Sequence, residues 1–168
     1  DFQTAGPIFA APTIADVDQD GSAELIAVSE YHYVYVWRAN GAPLPGWPQY
    51  VGDGVRSTPA LGDIDHDGDL EIVAGDNVGQ LHAWHHDGSS AFVFPINLGG
   101  AIKSSPVLAD LDGAAGVEII VHANDAKVYA LHGDGTALAN WPQSTGGITE
   151  TFGSFIIAST PAVGDVDG

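Results

Sequence analysis

Cysteine and methionine are absent from the chain, and lysine and arginine together number four. Without Cys there is no disulfide framework, no thiolate metal site and no thiol nucleophile. The shortage of basic residues excludes more. Twenty-two acids against those four cations give a formal charge of −18, so nucleic acid and anionic membrane surfaces are unfavourable partners. Long apolar runs are also lacking. None approaches the roughly 18 residues of a membrane span, and no signal peptide shows at the N-terminus, so no membrane insertion is expected. A chain that lacks Met and opens at Asp1 is expected to be a processed product or an excerpt. There is no G-x-S-x-G elbow and no G-x-x-x-x-G-K-[ST] phosphate loop. Arg38, Arg56, Lys103 and Lys127 form no cluster suited to an acidic sugar.

What is present is a globular composition, with 45% apolar and 15% charged residues over 168 positions, enough for one domain with a real core. The chain is also periodic. APTIADVDQDGSAELIAV, TPALGDIDHDGDLEIVAG and SPVLADLDGAAGVEIIVH recur with Pro12, Pro59 and Pro106 at steps of 47 residues. Trp37, Trp84 and Leu131 keep the same step, as do Gly41, Gly88 and Gly135. So do the dipeptides Trp47-Pro48, Phe94-Pro95 and Trp141-Pro142. A fourth start, Ser159-Thr160-Pro161, comes eight residues late and stops at Gly168. The implied units are 8–54, 55–101, 102–155 and a partial 156–168.

Each unit reads as strands and turns. Leu25-Ile26-Ala27-Val28, Ile72-Val73-Ala74 and Ile119-Ile120-Val121 are short β-branched runs of the kind found in strands covered on both faces. Tyr33 to Trp37 and Val128 to Leu131 supply a second strand, and Asn40-Gly41, Asp87-Gly88 and Asp134-Gly135 supply tight turns. With 22 Gly and 10 Pro, no helix of ordinary length is expected. The prediction is an all-β chain of repeated four-stranded antiparallel sheets, near the repeat length of propeller blades.

The strongest chemical signal is acidic. In the stretch DIDHDGDLEI, Asp63, Asp65 and Asp67 stand at loop positions 1, 3 and 5, Gly68 at 6, Asp69 at 7 and Glu71 at 9. Five carboxylates beside buried-type residues repel one another unless a cation compensates them. Alternate acids can point inward, Gly allows a sharp turn, and a position-7 carbonyl with Glu71 can complete an oxygen cage. Calcium takes about 6–8 such oxygens. Asp16, Asp18, Asp20, Gly21, Ser22 and Glu24 repeat the arrangement. The bland alternative, a solvated Asp-Gly turn, does not require so many carboxylates. An EF-hand would close with Glu at position 12 between helices, whereas here Glu stands at 9 and leads into a strand. The third loop keeps Asp110, Asp112 and Glu118 but has Ala114 and Ala115 at positions 5 and 6, so weak or absent metal is expected there. The fourth keeps Asp165 and Asp167.

The unit S-T-P-x-L-x-D-x-D-x-D-G-x-x-E-I-V, followed by an aromatic strand, a D-G turn and G-W-P, resembles the FG-GAP/VCBS repeat family, whose calcium-loop blades are similar to those of integrin α-subunit propellers. The resemblance covers essentially the whole chain. It implies calcium ligands at Asp16, Asp18, Asp20, Glu24, Asp63, Asp65, Asp67 and Glu71, with backbone carbonyls of Ser22 and Asp69. It also implies an extracellular or cell-surface module for adhesion, recognition or scaffolding, with protein or glycan ligands. Some polysaccharide lyases are similar in their repeats, so a propeller enzyme is the alternative.

Other residues have plainer expectations. Alternation along LHAWHHDG places His82, Trp84 and His86 on one strand face and His85 on the other, which predicts packing or surface roles for these histidines. His66, at an even loop position, is expected to face solvent. Trp37, Trp47, Trp84 and Trp141 recur at repeat positions and are expected to pack between sheets. The leading expectation is a calcium-stabilised binding or structural module without catalysis. DFQTAGPIFA reads as the tail of a preceding unit. Residues 155–168 are expected to pair with strands outside the three units, in a longer chain or in neighbouring copies that assemble into a ring or filament.

Overall fold

The computed structural model describes residues 2–114, 116–145, 151–152, 155–156 and 159–164. The backbone of every regular element among them is extended. Strands β1 (Thr13–Ala15), β2 (Glu24–Val28), β3 (Tyr33–Trp37) and β4 (Gln49–Tyr50) form one antiparallel sheet in sequence order. The second sheet contains β5 (Ala60–Gly62), β6 (Glu71–Gly75), β7 (Gln80–Trp84) and β8 (Ile96–Asn97). The third contains β9 (Val107–Ala109), β10 (Glu118–Ala123), β11 (Lys127–Leu131) and β12 (Gln143–Ser144). The unit boundaries read from the 47-residue step enclose these sheets one by one.

The β-branched runs become the middle strands because each is covered twice. One core cluster joins Ile26, Val28, Val34 and Val36 of the first sheet to Ile72, Ala74 and Trp84 of the second. The next joins Val73, Leu81 and Ala83 to Ile119, Val121, Ala123 and Leu131 of the third. A fully buried Ile or Val contributes about 1.5–3 kcal/mol relative to exposure, so the seams between sheets hold the stack together. Trp47 belongs to the first seam. Its ring meets Trp84 edge-on at 5.9 Å, and its indole N–H donates to the His86 carbonyl at 2.7 Å. Trp37 instead stacks on Tyr35 at 4.9 Å and meets Phe2, on the opposite face of the first sheet. Trp141 is half-buried beside Ile120, Ala130 and Leu138. Trp47-Pro48, Phe94-Pro95 and Trp141-Pro142 are all cis.

The turns after β3, β7 and β11 share one hydrogen-bond pattern. Arg38, His85 and His132 each donate a backbone N–H four residues ahead and accept one from Gly41, Gly88 or Gly135. Asn40, Asp87 and Asp134 cap the turns by accepting the N–H of Ala42, Ser89 and Thr136, each at 2.9 Å. A second seam follows the unit starts. Thr58 N–H donates to Ser105 Oγ at 2.9 Å, and Ser105 N–H donates to Thr160 Oγ1 at 3.4 Å, so the step lengthens from 47 to 55 where the fourth start is delayed.

One expectation needs correction. The short strand β14 (Phe155–Ile156) does not seek a partner beyond the chain but pairs with β13 (Thr151–Phe152) in a local antiparallel hairpin. Two residues, Gly153 and Ser154, separate the strands, and closing so short a loop costs far less entropy than recruiting a distant strand. Asp165 and Asp167 lie outside the described residues.

Candidate metal centre

Each acidic loop joins the first strand of its sheet to the second and is anchored by its closing glutamate. Glu24, Glu71 and Glu118 start β2, β6 and β10, and they are 0%, 0% and 3% exposed. One carboxylate oxygen of each accepts the backbone N–H of loop position 2, from Val17 at 3.1 Å, Ile64 at 2.9 Å and Leu111 at 2.7 Å. That bond closes the loop and aims the other oxygen, Oε1, at the acids of positions 1 to 5. Burial pushes the Glu24 and Glu71 carboxyls above the ordinary glutamate range, and neighbouring aspartates push the same way.

Two left-handed residues make the reversal. Position 4 has positive φ in all three loops, at 54° for Gln19, 65° for His66 and 73° for Gly113. Position 6 does the same in the first two, at 90° for Gly21 and 97° for Gly68, where a side chain would be strained. His66 is exposed, and its ring reaches the third loop. A Cβ placed on Gly116 would come within 2.6 Å of His66 Nε2, so glycine leaves room for that ring. Gln19 likewise reaches the second loop, donating to the Gly68 carbonyl and to Asp69 Oδ1.

In the first loop Asp16, Asp18 and Glu24 bring ligand atoms within 4.8 Å of one another. Asp16 Oδ2 accepts from Gly21 N–H at 3.0 Å, whereas Asp16 Oδ1 and Glu24 Oε1 are buried and accept no hydrogen bond from the described residues. Such orphaned carboxylate oxygens fit a hard cation. Asp20 Oδ1 is occupied by Ser22 N–H at 2.8 Å. Arg38 stands at the rim, its guanidinium 3.3 Å from Asp18 Oδ2.

In the second loop the converging set is Asp65, Asp67, Glu71 and His85. His85 Nδ1 lies 3.3 Å from Glu71 Oε1 and 3.7 Å from Asp65 Oδ2. Asp63 Oδ1 accepts from His66 N–H at 2.6 Å and lies outside that set, while the Asp69 carboxylate faces His86 Nδ1 at 2.8 Å. In the third loop Asp112, Glu118 and His132 converge, with His132 Nδ1 3.3 Å from Glu118 Oε1. Asp110 Oδ1 takes the Gly113 N–H at 2.7 Å.

Sequence reasoning missed the residue after the second long strand. Alternation correctly separates His85 from His82 and His86, since His82 turns inward to Asp76 at 3.1 Å. It does not reveal that the acidic loop of the same unit covers the His85 side. The available signal was positional: Arg38, His85 and His132 stand 47 residues apart.

A family model for FG-GAP-like repeats matches residues 16–74, from the first aspartate of loop one through the strand that follows loop two. Residues 16–74 are FG-GAP-like repeat sequence. The same 47-residue register carries the FG-GAP-like pattern into the third unit. Comparison with curated proteins gives no match. Among solved structures, BamB from Moraxella catarrhalis superposes with a TM-score of 0.55 at 19% identity, covering 80% of this chain and 38% of that one. The structure of BBS1N in complex with ARL6DN superposes with a TM-score of 0.58 at 11% identity, covering 80% of this chain and 44% of that one. The chain thus spans less than half the length of either. The likeness is one of fold: the FG-GAP-like units are all-β sheets of β-propeller type. Among the described residues no helix is long and apolar enough to cross a membrane.

Proposed function

We propose that the chain is a calcium-stabilised β-repeat module that works by binding and assembly, without catalysis, at a cell surface or outside the cell. The observation that carries this reading is the pair of buried, unpartnered oxygens, Asp16 Oδ1 and Glu24 Oε1, in a loop that brings three carboxylates together. Asp16, Asp18 and Glu24 would hold calcium in the first loop, and Asp65, Asp67 and Glu71 in the second. The cation supplies the positive charge that lets buried carboxylates stay ionised, and the protein supplies a loop already closed by the glutamate bond to position 2. Function would follow from rigidity, because fixed loops keep neighbouring sheets in register and present a constant surface to a protein or glycan.

Further repeat units, from the same chain or from neighbouring copies, are the assembly partners this reading favours. Ile14 is 67% exposed, while its counterparts Leu61 and Leu108 are half-buried against a preceding sheet. Leu111 is 36% exposed, while Val17 and Ile64 at the same loop position are buried beneath a following sheet. BBS1N was crystallised in complex with ARL6DN, which supports a recognition role for this type of fold. Calorimetric titration with calcium, paired with thermal melting in calcium and in chelator, tests the reading. Saturable binding of two ions with a raised melting temperature is expected. Identical melting curves and no binding heat would overturn it.

A further inference from the structure

The third loop has lost the acid at position 5, yet the fold gives it a nitrogen donor. His132 follows β11 directly, and its backbone is fixed by the turn, donating to the Thr136 carbonyl and accepting from Gly135 N–H at 2.9 and 2.8 Å. The ring then stands over the loop of its own unit, with Nδ1 3.3 Å from Glu118 Oε1, and Asp112 completes a set of donor atoms within 4.8 Å. Glu118 cannot swing away, because it is 3% exposed and its other oxygen accepts from Leu111 N–H at 2.7 Å. An outer bond of this kind fixes a metal-binding carboxylate in place.

The separations discriminate between cations. Zinc bonds to nitrogen and carboxylate oxygen run about 2.0–2.2 Å, so the edge of a tetrahedral site is roughly 3.3–3.5 Å. The His132 to Glu118 spacing matches such an edge. Calcium instead asks for about 6–8 oxygens, and this loop has Ala114 where the others have aspartate, while Asp110 Oδ1 already holds Gly113 N–H. Imidazole favours first-row transition cations over calcium. The site also has an open side. A cleft of about 270 Å³ between the second and third sheets is lined by Ile64, His66, Phe92, Glu118, His132 and Asp134. Three protein donors with one side facing such a cleft leave a coordination position for water or a small ligand.

We infer that Asp112, Glu118 and His132 form a binding site for a divalent transition cation of the zinc class, chemically distinct from the calcium loops of the first two units. The inference goes beyond the calcium reading and does not depend on it. Its test is calorimetric titration of zinc into the full chain held in excess calcium, comparing the parent with His132→Ala and Asp112→Asn. One equivalent of zinc bound by the parent is expected to be lost, or weakened at least tenfold, in both variants, with calcium-dependent melting unchanged. His85→Ala is the internal control and leaves that equivalent in place. Asp112 is exposed, so Asp112→Asn carries the test should His132→Ala fail to fold. No zinc binding in excess calcium, or zinc binding by both variants with parental stoichiometry and affinity, would overturn the inference. Failure of the calcium reading would appear separately, in melting with chelator and no zinc.

Discussion

The first and third acidic loops share a backbone and differ in what they ask of their surroundings. Both are closed by a buried glutamate that accepts the position-2 N–H, and both pass through a left-handed residue at position 4. Beyond that they diverge. The first gathers three carboxylates, leaves two buried oxygens without a donor and keeps Arg38 at its rim, 3.3 Å from Asp18. The third replaces an acid with Ala114 and offers the His132 nitrogen to Glu118 Oε1. The glutamate bond therefore belongs to the scaffold. Position 5 and the residue after the second long strand set the charge balance, and they can vary without disturbing the sheet.

Chelation should separate the two regions most sharply. An ion at about 100 times its dissociation constant stabilises the fold by about 2.7 kcal/mol, so emptying the first two loops is expected to cost about 5 kcal/mol. At roughly 2–4 °C per kcal/mol for a chain of this size, the melting temperature in excess chelator should fall by about 10–20 °C. A comparable fall with Glu24 and Glu71 both changed to Gln before chelation would break the comparison.

Single substitutions refine it. Glu24→Gln keeps an acceptor for Val17 N–H but removes a charge, and is expected to lose about half of the calcium-induced rise in melting temperature. Glu118→Gln should leave that rise intact. Equal losses in calcium titrations of the two variants would show that the third loop is an ordinary calcium loop after all.

Tyr129 tests the third unit without metal. Its hydroxyl lies 2.6 Å from both the Leu98 carbonyl and Asp125 Oδ2, and burial, followed by the Asp125 hydrogen bond, pushes it up to about 12. A group raised in the folded state contributes stability that is complete below its unfolded value near 10 and is lost as pH climbs towards 12. Denaturant melts across that window should show this loss. Tyr129→Phe should remove the pH dependence while costing about 1–2 kcal/mol at neutral pH.

Two smaller effects concern exposed ion pairs. Replacing Arg38 by Gln removes a rim cation that competes for Asp18, and calcium affinity at the first loop should rise about two- to fivefold in titration. Glu30→Gln breaks the contact with Arg56 at 2.6 Å and is expected to cost under about 1 kcal/mol. The Arg56 hydrogen bond holds the Glu30 carboxyl below its usual range, so its contribution is present above the ordinary glutamate value and fades as pH falls through the lowered one. An acid melt that is unchanged in the variant would show that this pair contributes nothing.

The units, their sheets and the closing glutamates were legible in the sequence because each rests on a local pattern repeated in step. Pro12, Pro59 and Pro106 set the period, β-branched runs mark strands covered on both sides, and Asp-Gly pairs mark the turns. The finer division of labour among the acids was not. Asp20, Asp63 and Asp110 look like ligands in a linear reading, but each spends an oxygen on a backbone N–H of its own loop. Which carboxylates remain free depends on φ angles at positions 4 and 6 that no residue pattern states outright. His85 and His132 escaped for a related reason. Alternation assigns a side chain to a face but does not say which loop lies over that face. The β13–β14 hairpin was hidden behind an apolar stretch that reads equally well as an edge in want of a partner.

The position-4 side chains give the stack a mechanical direction. Gln19 of the first loop grips Gly68 and Asp69 of the second, and the His66 ring rests on Gly116 of the third. Every such contact runs forward, from one unit to the next. A pull that peels the third unit away must slide His66 off its seat before the apolar seam parts, whereas a pull on the first unit must break the Gln19 bonds. Under load, then, the loop edge behaves as a row of hooks facing one way. The force needed to detach a unit depends on the end from which the stack is drawn.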